Sequence, residues 1–204
     1  MALTDKPIQG ETPLTDQDLQ GLKLPFVKTR AQLSEVEGQN IISGKQWALR
    51  SRRSRIPAML SLEYMQELHL RMFNEVWDWA GQTRSTELQN AFAASVPDIR
   101  PQLSLLNKDA VEYWLSDMHI SPDEFALRFH HRVVKIHPFR NGNGRHSRLL
   151  ADLVLTKHFG REPFTWGGTA QLGAADPCRQ TYLEGLKFAD RGDYAPLMRL
   201  CRAS

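Results

Sequence analysis

Cysteine is scarce in this chain. Two residues, Cys178 and Cys201, among 204 cannot build a disulfide framework, and free thiols fit a reducing compartment. Long apolar runs are missing too: none approaches the ~20 residues that a membrane helix needs. The first residues, MALTDKPIQGETP, lack a basic stretch followed by an apolar one, so no secretory signal is expected and the cytoplasm is the expected compartment. Charge of one sign is not in excess, because 26 Lys and Arg stand against 23 Asp and Glu and leave +3. That balance is too mild for a nucleic-acid surface, and nucleic acid is not an expected partner. There is no internal repeat, no low-complexity segment and no series of alternating strands. What remains is an ordinary globular composition, 41% hydrophobic and 24% charged.

The hydrophobic spacing is helical almost throughout. Residues 1–60 read as an N-terminal arm followed by a helical stretch, and 61–204 as the main body. In the arm, TDQDLQGL forms a short helix capped by Thr15 or Asp16. From Thr29 to Leu49, Leu33, Val36, Ile41 and Trp47 mark one side, with Gly38 and Gly44 predicting a break into two pieces. Arg50, Arg52, Arg53 and Arg55 crowd a loop that reads as solvated or, alternatively, as a patch for an acidic partner. Ser61 caps a helix expected to run to about Trp79, where Gly81 ends it. Residues Gln82 to Val96 have no helical period and read as a loop or a β-hairpin. The next helix places Leu103, Leu106, Ala110, Tyr113, Trp114 and Met118 on its buried stripe. SPDE at 121–124 starts another, with Phe125, Phe129, Val133 and Ile136 toward the core. Pro138 stops it just after His137. A further helix opens near Asn143 and runs to Gly160, and two short ones cover Pro177–Ala189 and Tyr194–Arg202. The expected fold class is all-α, with one short hairpin.

One block asks for more than packing: HPFRNGNGRHSR, His137 to Arg148. A helix ends at His137 and another begins by Gly144. Gly142 and Gly144 permit positive φ, which lets successive N–H groups converge, and a helix N-terminus adds unpaired donors and a partial positive charge. The result is an anion cradle, for which phosphate is the usual occupant. Arg145 and Arg148 project from neighbouring positions on the first turn, and two guanidinium forks suit a polyphosphate. His137 at the far edge has the side chain for a general base near neutrality, and Phe139 anchors the loop in the core.

This block resembles the signature of the Fic family, H-P-F-x-[D/E]-G-N-G-R-x-x-R, at His137, Pro138, Phe139, Gly142, Asn143, Gly144, Arg145 and Arg148. The preceding helix, FALRFHHRVVKIHPF, and the segment LHLRMFNEVWDWAGQTR are also similar to family members, so the likeness covers roughly 61–159. TRAQLSEVEGQNI and WDWAG look more narrowly like the bacterial group called mobile mystery protein B. The resemblance implies an all-α Fic fold, with a helical bundle around a helix–loop–helix site and a hairpin flap within Gln82–Val96. It implies transfer of AMP from ATP, with Mg²⁺ or Mn²⁺, to a Tyr, Thr or Ser hydroxyl of a target protein. His137 would be the general base. Asn143 and Gly144 would cradle the α and β phosphates, Arg145 would hold the phosphates and Arg148 would contact the γ phosphate. Asn141 stands where the family carries Asp or Glu to hold the metal; its amide oxygen can ligate a hard cation but brings no charge.

Many members of the family also carry an inhibitory helix with [S/T]-x-x-x-E-[G/N]. Val36, Glu37 and Gly38 resemble its end, although Leu33 occupies the first position, and the implied brake is a pair between Glu37 and Arg148. Other readings stay open. The chain could bind nucleotide with little catalysis and act through a partner such as an antitoxin or a second copy of itself; Asn141 favours this. It could transfer a phosphate or another phosphorylated group. A metal site from His130, His131, His137 and His146 is the third reading, opposed by the divergent directions of adjacent helical residues.

Overall fold

The computed structural model describes residues 13–53, 55–88, 93–168 and 178–203. Eight α-helices are formed among them: α1 (Asp16–Gln20), α2 (Arg30–Arg50), α3 (Leu62–Phe73), α4 (Ile99–Lys108), α5 (Pro122–Ile136), α6 (Asn143–Leu153), α7 (Cys178–Ala189) and α8 (Ala195–Cys201). Wider π-helical turns extend α4 over Asp109–Trp114 and α6 over Val154–His158. Thr15, Thr29, Ser61 and Ser121 cap α1, α2, α3 and α5 through side-chain oxygens that accept from backbone N–H groups. Two antiparallel bridges, Leu22 with Trp77 and Thr83 with Phe139, are the strand-like contacts among the described residues.

α2 is one continuous helix, not two pieces. Gly44 serves packing. A side chain at Gly44 would sit 2.9 Å from the Met72 backbone, so the bare position lets α2 and α3 approach closely. That contact outweighs the propensity penalty of about 1 kcal/mol for a glycine in a helix. α3 in turn stops at Phe73, short of Trp79 and well before Gly81. The reason is tertiary: buried Asn40 on α2 donates to the Arg71 carbonyl at 3.4 Å and accepts from the Glu75 N–H at 3.0 Å, which pulls the chain out of the helix. The freed segment carries Trp77 and Trp79 into the core, stacked at 4.7 Å. The stripe expected beyond Ala110 also differs. Tyr113 and Met118 are exposed, because the π turn rotates the chain off the face that buries Leu103, Leu106 and Ala110.

The main core gathers α2, α3, α4, α5 and α6, with Phe73, Trp77, Phe125, Phe129, Phe139 and Leu150 buried at its centre. A second apolar cluster joins α5 and α6 to α7 and α8 through Leu127, Ala151, Trp166, Tyr182 and Leu197. α5 and α6 therefore lie between two cores. The loop that joins them emerges beside α3 and the C-terminal half of the 74–88 segment.

Candidate functional site

The hairpin expected within Gln82–Val96 is not formed among the described residues; 89–92 lie outside them. Instead Thr83 bridges Phe139, and Arg84 donates its backbone N–H to the Pro138 carbonyl at 2.9 Å. This strip runs directly along the 137–142 loop.

The loop is built by mutual clasps. His137 adopts a left-handed conformation at φ 53, unusual for a residue with a side chain, and ends α5 by donating its N–H to the Val133 carbonyl. Its carbonyl accepts from Arg84 Nε at 2.8 Å. Arg84 is buried and also donates to the carbonyls of Thr86 and Ala94, so one guanidinium staples the start of the loop to those two residues. Phe139, fully buried as expected of an anchor, stacks on His69 at 3.9 Å. Asn143 reaches back four residues: its Oδ1 accepts from the Phe139 N–H at 2.9 Å and its Nδ2 donates to the Phe139 carbonyl at 2.8 Å. The Asn143 side chain is thereby spent on the loop, which leaves only its backbone N–H for a ligand.

His69 was not singled out by the sequence. Its Nδ1 accepts from the Gly81 N–H at 2.9 Å, so the ring carries its proton on Nε2, which donates to the Asn141 carbonyl at 3.0 Å. Burial, with His146 nearby, holds His69 well below the usual histidine range, and it stays neutral. Gly142 has φ 77, and a side chain there would meet the Phe73 ring at 2.6 Å, so the position admits only glycine. Of the two glycines that permit positive φ, only Gly142 uses it; Gly144 lies inside the first turn of α6. The Asn141 carboxamide oxygen accepts from the Gly142 N–H.

The arginines are placed differently from one another. Arg145 lies over the Phe73 ring, 5.1 Å from its centroid, and donates from Nη1 to Glu37 Oε2 at 2.7 Å. Glu37 is buried on α2, and its other oxygen accepts from Trp77 Nε1 at 2.7 Å. The expected acid–base pair therefore exists, but with Arg145 and not Arg148. Arg148 is buried and turns to α7, where it lies 5.6 Å over the Tyr182 ring. The four histidines considered as a metal site stay apart. His130 Nε2 lies 2.9 Å from the Tyr182 hydroxyl, His131 Nε2 2.8 Å from an Asp190 oxygen, and His146 Nε2 3.0 Å from the Met65 carbonyl. No group of three or more His, Cys, Asp or Glu able to hold a metal occurs among the described residues.

His137 Nδ1 donates to the Val134 carbonyl at 3.0 Å, which leaves Nε2 as the basic nitrogen. Burial, opposed by that hydrogen bond and helped by the Arg84 charge, lowers its pKa to about 4. The imidazole is neutral at pH 7, the protonation state that a general base requires. The site thus combines a neutral imidazole, the N-terminus of a helix after a left-handed glycine, and two cations.

Residues 59–155 match the model of the Fic/DOC family. The chain carries a Fic/DOC family domain. It is similar to protein adenylyltransferase Fic of Drosophila erecta, at 31% identity over 144 residues that make up 69% of this chain and 27% of that protein. It is also similar to protein adenylyltransferase fic-1 of Caenorhabditis elegans, at 26% over 197 residues, 89% of this chain and 36% of that one. The chain therefore spans about a quarter to a third of the length of these relatives. Among solved structures, C. elegans Fic-1 superposes with a TM-score of 0.58 at 29% identity, covering 90% of this chain and 56% of the other. BepC of Bartonella tribocorum, with bound AMPPNP, gives 0.57 at 20% identity, covering 86% and 87%, and shows the shared fold. The all-α Fic fold of this chain is established by these matches together with its helical architecture.

Within the Fic domain the Asn143 clasp is the feature most open to test. Asn143→Ala leaves the buried Phe139 N–H and carbonyl without their partner and should lower the unfolding free energy by roughly 2 kcal/mol or more. Urea denaturation reads this directly; a loss below about 0.5 kcal/mol contradicts the role given to the clasp.

Proposed function

We propose that this chain transfers AMP from ATP to a hydroxyl side chain of a target protein. The observation that carries the reading is the neutral His137 imidazole held at the edge of the loop that opens onto the N-terminus of α6. The backbone N–H groups of Asn143, Gly144 and Arg145 lack intrahelical acceptors by the geometry of a first turn, and they supply donors for the α and β phosphates. Arg145 adds a cation beside them and Arg148 the contact for the γ phosphate. The hydroxyl oxygen of a target Tyr, Thr or Ser attacks the α phosphorus. Its proton passes to His137 Nε2, the bond from the α phosphorus to the bridging oxygen breaks, and pyrophosphate leaves. The 83–88 strip beside the loop supplies exposed backbone along which a target segment aligns. The named activity of the fly and nematode relatives supports the same chemistry.

Asn141 offers a cation one neutral oxygen, already engaged by the Gly142 N–H. A Mg²⁺ or Mn²⁺ ion would be held chiefly by the nucleotide's own phosphates. That feature favours a second reading, nucleotide binding with little turnover, in which a partner such as an antitoxin or a second copy of the chain completes the action. The likeness of TRAQLSEVEGQNI and WDWAG to the bacterial mobile mystery protein B group, and a cytoplasmic setting suited to the free thiols, belong to the same proposal. No described helix is long and apolar enough to cross a membrane.

Glu37 acts as a brake in this reading. By holding Arg145 at 2.7 Å it keeps that guanidinium from the phosphates and places a carboxylate next to their site. Glu37→Gly should raise incorporation of label from α-labelled ATP into the protein itself by roughly tenfold or more, on the scale of a lost buried ion pair. Adding His137→Ala should abolish it. Label that appears only from γ-labelled ATP would instead assign phosphate transfer, and label that survives His137→Ala would remove the base.

The acidity of His137 gives a separate test. A base works in its neutral form, so a pKa lowered to about 4 leaves it competent throughout the neutral range. The kcat/KM of Glu37→Gly should show no His137 inflection between about pH 6 and 8 and should fall as pH drops toward 4. An inflection near the ordinary histidine value of about 6.5 contradicts the assignment.

A further inference from the structure

We infer that Tyr182 is a positioning residue for Arg148, and that through it α7 sets the preference of this site for a nucleoside triphosphate over the diphosphate. The inference rests on the reading of Arg148 as the γ-phosphate contact. Tyr182 lies beyond the 59–155 family segment, on a helix that the signature does not include. It is buried, and one side chain gathers three helices. Its hydroxyl is 2.9 Å from His130 Nε2 on α5, and its ring lies under the Arg148 guanidinium of α6 at 5.6 Å, with the hydroxyl interacting with the same guanidinium.

This arrangement answers an energetic problem. Arg148 is buried, and burial opposes its charge, as do the nearby charges of Arg145 and Arg179; Tyr182 acts the other way. The aromatic face stabilises the cation by roughly 1–2 kcal/mol where water is excluded. His130 adds no competing charge, because burial holds it near a pKa of about 3. The ring lies against the guanidinium, and the hydroxyl, hydrogen-bonded to His130, interacts with the same cation. A side chain built at Gly144 would lie 3.6 Å from Arg148 Nη1, so the guanidinium is held beside the first turn of α6. Phosphates seated on that turn present their far end to it. A diphosphate ends short of it, and the preorganised cation discriminates between the two.

The test uses the full chain with Glu37→Gly, so that Arg145 is released. Binding of ATP and of ADP is measured by isothermal titration for this parent and for added Arg148→Ala, Tyr182→Phe and Tyr182→Met. Melting temperature and circular dichroism confirm folding. Tyr182→Phe keeps the ring and removes the hydroxyl; it should weaken ATP about five- to tenfold and change ADP less than about twofold, the scale of one hydrogen bond to a charged group. Tyr182→Met fills the space without ring or hydroxyl and should bring ATP down to the ADP value, as Arg148→Ala does. If Arg148→Ala erases the ATP preference and both Tyr182 variants keep it, or lose ATP and ADP affinity equally, the positioning role is overturned. If Arg148→Ala leaves the ATP to ADP ratio unchanged, the γ-phosphate reading falls first and the inference falls with it.

Discussion

Asn143 ties the first residue of α6 to the backbone of Phe139 with two hydrogen bonds, and the geometry of the whole site follows from that closed ring. Phe139 is fixed from one side by this clasp and from the other by its stack on His69. The turn between them then has few conformations left. It forces a left-handed residue at Gly142, which packs on Phe73 too tightly for any side chain, and a left-handed His137, whose carbonyl is pinned by Arg84. Backbone strain of order 1–3 kcal/mol at a non-glycine residue persists only where its surroundings hold it there. Here a buried guanidinium, a buried aromatic and a buried amide all do so. The reward is a helix N-terminus and an imidazole in a fixed relation, arranged before any ligand arrives.

A second layer joins the N-terminal part of the chain to this loop. Glu37 on α2 divides its two oxygens between Trp77, which belongs to the core, and Arg145, which belongs to the site. The same carboxylate is thus a packing element and a restraint on a cation. Its choice of Arg145 follows from what the other arginine does: Arg148 is already committed to α7 through Tyr182. The two arginines of one helical turn are held by opposite ends of the chain, one by α2 and one by α7.

Much of this was legible in the residues. The serine and threonine caps, the Phe125–Ile136 stripe and the stop at Pro138 are local signals, and the structure forms them as read. The block from His137 to Arg148 announced its loop because glycine, asparagine and arginine at those spacings are not the pattern of a helix's apolar stripe. What sequence could not carry was long-range. The clamp by Asn40 that ends α3 early joins residues more than thirty positions apart, and the helix period continues past Phe73 regardless. Gly44 reads as a breaker because its value lies in the neighbouring helix. His69 and Arg84 support the loop through backbone partners, and nothing in their own neighbourhoods marks them. Which arginine Glu37 meets depends on the packing of α2 against α6, which no spacing rule encodes.

In the proposed function this preorganised bend receives a triphosphate once Arg145 is released. The most direct measurement is a crystal structure of the Glu37→Gly protein soaked with a non-hydrolysable ATP analogue. The expected electron density puts phosphates on the first turn of α6, Arg145 turned onto them, and His137 Nε2 facing the α phosphorus. A nucleotide seated elsewhere, or a bend that stays empty at saturating analogue, would contradict it.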